Sequence, residues 1–177
     1  MSLKSSAYRY GSMAAAIHWT TAIAILAMLG TGLAATNTAD AALELVLVRV
    51  HAVVGALVGV LTLFRILWWV AFDKRPSDHP DLTRFQKTAS HIVHYGLYAV
   101  ILIMVASGVG TVMLSGGPAQ LLGPEPLPLP DFTLVPPFTV HGTLARLLIV
   151  LLIGHIGAAL WHQFVRRDRL LARMGVG

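Results

Sequence analysis

Four long apolar runs separated by polar segments set the pattern of this chain. They cover about residues 14–35, 45–72, 90–114 and 138–165, and each is long enough to cross a bilayer's hydrocarbon core, which takes about 20 residues of helix. The first run continues too far for a signal peptide and is expected to be a retained helix. The connection TNTADAALE carries two acids and no Lys or Arg. The segment DKRPSDHPDLTRFQK is the most polar in the chain, so it predicts an extramembrane loop with a short surface helix beginning at Asp81. The last connection, SGGPAQLLGPEPLPLPDFTLVPP, has prolines and glycines that preclude a continuous helix. Four helices with three connections predict an all-α membrane protein, an up-down four-transmembrane-helix bundle in one domain spanning residues 1–177.

Composition supports this class. The 177 residues are 56% hydrophobic and 12% charged, about half the charge of an ordinary soluble domain. The absence of cysteine removes disulfides, iron–sulfur clusters, thiolate zinc sites and covalently attached c-type haem. The net charge of +5 arises from short clusters between the apolar runs rather than one basic face, which argues against nucleic acid. Basic residues fall at the N-terminus, in the central loop and at the C-terminus, whereas the other two connections have none. By the positive-inside rule both termini and the central loop are expected in the cytoplasm of a bacterial inner membrane. Trp19, Trp68, Trp69 and Trp161 lie toward the same boundary, as interfacial anchors do.

Histidine then gives the pattern a chemistry. His141, His155 and His162 share one face of the last helix, the first two about 21 Å apart at 1.5 Å per residue. His18 starts the first helix at the depth of His155, and His51 starts the second at the depth of His141. Two imidazoles facing each other across a bundle can ligate a haem iron from both sides. His18 with His155 on the cytoplasmic side and His51 with His141 on the periplasmic side are therefore candidate ligand pairs for two haems. Polar side chains in hydrocarbon are costly, and four at two matched depths point to function. Zinc fits poorly, because these pairs have no carboxylate or thiolate companions.

Other residues are placed around that frame. Gly55, on the face of His51, would let a flat macrocycle approach the backbone, with close helix packing as the plainer explanation. Arg65 returns to that face at cytoplasmic depth, suited to a haem propionate or to snorkelling toward the interface. Arg49 lies beside His51 and Arg146 five residues past His141, the only basic residues of the periplasmic half. His91 and His94, which open the third helix, and His162 on the last could replace His18 as ligands; His94 and His162 are read instead as proton or quinone contacts. His79 is expected to be solvated.

On these residues the chain resembles the bacterial cytochrome b561 family, related to the b-type subunits of nickel–iron hydrogenases and formate dehydrogenases. The resemblance covers essentially the whole chain. It rests on Ile17-His18-Trp19, on His51 with Gly55 and Arg65, on Ser90-His91-Ile92-Val93-His94-Tyr95, and on His141 with His155 and His162. It implies a four-helix di-haem b protein with the two axial pairs above. It further implies an oxidoreductase of the superoxide oxidase type, passing electrons from periplasmic superoxide to ubiquinone in the membrane. In that scheme Arg49 and Arg146 serve the superoxide side, and His162, His94 and Arg65 the quinone and proton side. Related subunits instead take electrons from a periplasmic redox partner. Outside redox chemistry, a helical transporter or assembly factor would share the same pattern.

Overall fold

The computed structural model describes residues 2–124 and 127–176; part of the proline-rich connection, at 125–126, lies outside the described residues. The chain forms α1 (Ser12–Asn37), α2 (Ala41–Leu67), α3 (Arg84–Leu114), the short α4 (Pro118–Leu122) and α5 (Pro136–Trp161). Helices α2 and α5 each end in a widened π turn, Trp68–Phe72 and His162–Arg166. No strand occurs among the described residues, and four helices are long and apolar enough to cross a membrane.

Local chemistry sets the boundaries. Asp40 caps α2 by accepting from the Ala42 and Leu43 amides, so the first connection is short and α2 starts a turn before its apolar run. Thr83 and Gln86 form a reciprocal capping box on α3. That box starts the third span at Arg84 and takes up the polar residues expected to form a separate surface helix. Asp81 instead sits in a turn ahead of the helix. Pro136 and Pro137 open α5, where their missing N–H groups cost nothing.

The bundle consists of two antiparallel hairpins. Helix α1 packs chiefly on α2 and α3 on α5, and α2 against α3 joins the halves. At mid-height Ala24, Ile25, Val58, Val100, Ile101, Met104 and Leu148 form the core. Outward, Ile23, Val53 and Ile153 stand 67%, 67% and 68% exposed, which would be a liability in water and is the ordinary condition in lipid. Hydroxyls inside the spans are turned back onto carbonyls of their own helix, as Thr21 onto Ile17 and Thr62 onto Val58.

Both termini and the α2–α3 loop interlock at one end. Asp73 accepts from the Ser5 amide and hydroxyl and from the Trp68 indole. The Ser77 amide donates to the Ala7 carbonyl, the Arg173 guanidinium to Tyr8, and the Trp19 indole to the Met174 carbonyl. Partial burial pushes the Asp73 carboxyl up, but these bonds and one from the Lys74 amide outweigh it and hold the group below its ordinary range.

Candidate functional site

Away from the termini, His51 of α2 and His141 of α5 face each other with ring centroids 6.0 Å apart. Each ring is held from the neighbouring helix of its own hairpin. Nδ1 of His51 lies 3.1 Å from the Met28 carbonyl and 3.3 Å from the Thr31 hydroxyl. Nδ1 of His141 lies 3.0 Å from the Met104 carbonyl and 3.2 Å from the Ser107 hydroxyl. Both hydroxyls donate to carbonyls of their own helix, so each imidazole must be the donor at Nδ1. That fixes the tautomer and leaves Nε2 unprotonated, with a lone pair able to ligate a metal.

Glycine completes each cradle. A Cβ on Gly32 would stand 3.1 Å from Cε1 of His51, and one on Gly108 would stand 3.3 Å from Cε1 of His141. The two supports read Met28-x-x-Thr31-Gly32 and Met104-x-x-Ser107-Gly108, a short internal echo that the sequence reading does not register. Gly55, expected to admit a macrocycle, is seated against Met28, where a Cβ would be 2.9 Å from the methyl group. The close approach there is between helices, and it steadies the residue whose carbonyl holds His51.

Toward the termini, His18 of α1 and His155 of α5 lie with centroids 6.2 Å apart. Nη1 of Arg65 is 3.0 Å from Nδ1 of His18, and its guanidinium stands over the Tyr98 ring. A guanidinium can only donate, so His18 accepts at Nδ1 and carries its proton on Nε2. His94 is also close: its ring is 5.2 Å from that of His155, and its Nδ1 lies 2.6 Å from the Ser90 carbonyl. It therefore has the tautomer seen at His51 and His141.

The remaining predicted residues are placed as follows. His162 is buried and pairs through Nδ1 with Asp168 Oδ2, brought back over it by the left-handed turn at Arg167. Asp168 Oδ1 is buried without a hydrogen-bond partner among the described residues. Sequence reasoning passed over Asp168, whose signal is only a lone acid among tail arginines. Arg49 donates to the Gln120 and Gly123 carbonyls and so pins the α4 segment onto α2. Arg146 is exposed on α5. His91 meets Asp78 at 3.2 Å and His79 meets Asp81 at 3.8 Å, both near the α2–α3 loop.

These pairs suit one kind of cofactor. An imidazole nitrogen binds a metal at about 2 Å, so two rings on opposite sides of one ion have centroids about 6 Å apart. Among the described residues no three His, Asp or Glu converge as a metal site; two rings alone suit a metal whose other ligands come from a macrocycle. Arg65 Nε is buried without a hydrogen-bond partner among the described residues, a donor fitted to a macrocycle's carboxylate.

A model of the prokaryotic cytochrome b561 family matches residues 9–177. The chain belongs to that family. Membership in the cytochrome b561 family implies membrane electron transfer with haem b, in agreement with four apolar helices and facing histidines. Cytochrome b561 homolog 2 of Escherichia coli (strain K12) is 29% identical over 98% of this chain and 95% of its own length. Cytochrome b561 homolog 1 of the same organism is 29% identical over 56% of this chain and 58% of its own. No solved structure matches the chain.

Proposed function

We propose that this cytochrome b561 carries two haem b groups and passes electrons across a bacterial inner membrane to ubiquinone, with both termini in the cytoplasm. The observation that carries this reading is the pair of facing imidazoles at two levels of one helix, at 6.0 and 6.2 Å. His51 and His141 hold one haem and His18 and His155 the other, with Arg65 toward a propionate. The haems, when bound between these imidazoles, would supply one-electron chemistry. Nδ1 bonds to Met28 and Met104 keep His51 and His141 aimed and raise their basicity. At His18, ligation through Nε2 requires the Arg65 guanidinium to release Nδ1. His94 already has the suitable tautomer and is the second reading for that position.

Ubiquinone takes up two protons with two electrons. The buried His162–Asp168 pair supports a proton donor at the end with the termini, close in chain to His155. For the electron donor, charge favours a periplasmic redox partner with a basic contact face. Glu44 and Asp131 line a cleft of about 620 Å³ at the far end, hydrogen bonds from Thr133 keep Asp131 below its ordinary pKa, and Arg49 is engaged with carbonyls. Superoxide is the second reading, and exposed Arg146 favours it. Two superoxide ions would each give up one electron, leaving two O₂ and one ubiquinol.

Haem analysis with redox titration tests the ligand assignment. Two haem b per chain are expected, falling to one in His51→Ala and in His18→Ala but not in His94→Ala. One haem in the unaltered protein would sink the reading, and loss in His94→Ala with retention in His18→Ala would exchange those two residues. Stopped-flow mixing then separates the donors: rapid haem reduction by superoxide supports the anion, and its absence leaves the partner protein.

A further inference from the structure

The α2–α3 edge at the end with the termini holds a feature that electron transfer does not use. An open cleft of about 530 Å³ is lined by Ile66, Trp69 and Val70 of α2 and its π turn, by Tyr95 and Tyr98 of α3, and by Asp73, Lys74 and Arg75 above them. We propose that this cleft binds the phosphate headgroup of an anionic phospholipid, with its acyl chains running down the α2–α3 groove.

The lining changes character along one line. Its lower part is apolar, formed by Ile66, Trp69 and Val70, and Val70 is 80% exposed toward lipid. Its upper part is cationic. The Arg75 guanidinium is caged by three rings, 5.8 Å from Trp69, 5.3 Å from Tyr95 and 5.9 Å from Tyr98. Among the described residues its one polar partner is the Tyr95 hydroxyl at 3.3 Å, so most of its planar fork is left for a phosphate. Lys74 beside it is exposed.

Asp73 also lines the cleft, but its carboxylate accepts from Ser5, Trp68 and the Lys74 amide and is compensated there. Arg65 also stands over the Tyr98 ring, 5.6 Å from its centroid, adding positive potential. Apolar wall, aromatic belt and paired cations within two helical turns match an anionic amphiphile. A neutral quinone head would gain little from two cations.

Native mass spectrometry of the delipidated, haem-loaded protein in nonionic detergent tests this, with phosphatidylglycerol and phosphatidylcholine as probes. One tightly retained phosphatidylglycerol per chain is expected, with phosphatidylcholine at least tenfold weaker. Lys74→Ala with Arg75→Ala should lower phosphatidylglycerol binding at least tenfold, while Arg84→Ala with Lys87→Ala, in the first turn of α3 and outside the cleft, should change it less than twofold. Arg75→Lys, which keeps the charge without the fork, should fall between, and an unchanged haem spectrum shows that each variant folds. Equal loss in both double variants would mean diffuse attraction and overturn the site. Equal binding of the two lipids, displacement by inorganic phosphate, or displacement by a short-chain ubiquinone would each overturn it as well, the last two by naming a free anion or a quinone as the occupant.

Discussion

The side chains of greatest consequence are those that fix a neighbour's proton. Thr31 and Ser107 give their own hydrogens to carbonyls and so oblige His51 and His141 to donate at Nδ1. Gly32 and Gly108 keep the space in which those rings lie. Because both rings are pinned by two bonds, they cannot retreat from a methyl group at 3.1 or 3.3 Å. Gly32→Ala or Gly108→Ala should therefore shift or abolish one of two redox components in an absorbance titration. Gly142→Ala, with nothing within 4 Å of its Cβ, should leave both in place. The histidines were legible from sequence because spacing on a helix converts to depth by simple geometry. Their supports were not, because a carbonyl has no signature and a Thr or Ser in an apolar run reads as a tolerated polar residue. Asp168 was hidden for another reason: its approach to His162 depends on a left-handed turn at Arg167 (φ 56°), which an arginine does not advertise. In a quinone reductase assay His162→Ala and Asp168→Asn should each slow turnover about tenfold or more, as loss of a positioned proton donor does, with haem content unchanged. Haem loss in either variant would assign the pair to holding the cofactor.

At the scale of elements, the long apolar runs predicted four spans, and four helices stand near those positions. The differences lie at the ends, where side-chain caps outweigh hydropathy: Asp40 advances α2 and the Thr83–Gln86 box extends α3 backward through Arg84 and Lys87. The interlocked end was not legible, since it joins segments far apart in sequence through main-chain groups. Asp73 is its hub. Asp73→Asn should lower thermal stability by on the order of 1–2 kcal/mol, the scale of hydrogen bonds to a charged acceptor, and should loosen the N-terminal segment to protease. The dependence on pH has a definite sign. The folded chain holds this carboxyl below its ordinary pKa of 3.8, so its contribution is complete above that value and is lost as pH falls through the lowered one. A melting series from pH 7 to pH 3 checks this: the unaltered protein should lose stability toward the acid end, and the Asn variant should lose less.

For the whole molecule, charge and chemistry are both polarised. Eleven of the 13 Lys and Arg lie toward the end with the termini in the sequence, and the acidic cleft lies at the other. If a basic partner docks at that cleft, its association rate should fall steeply as salt is raised from low to physiological strength. Superoxide drawn to Arg146 would show a much shallower fall, because it carries a single charge. The far ring pair is assembled from two self-sufficient halves, because α1 and α2 provide carbonyl, hydroxyl, glycine and imidazole for one side, and α3 and α5 provide the same set for the other. Among the described residues neither half borrows a hydrogen-bonding support from its opposite. The chain should therefore survive being split: fragments 1–80 and 81–177 produced together should reassemble and give a b-type difference spectrum, while either fragment alone should give none. A protein divisible in this way behaves as two modules whose meeting creates the site, and each could be altered or exchanged without redesigning the other.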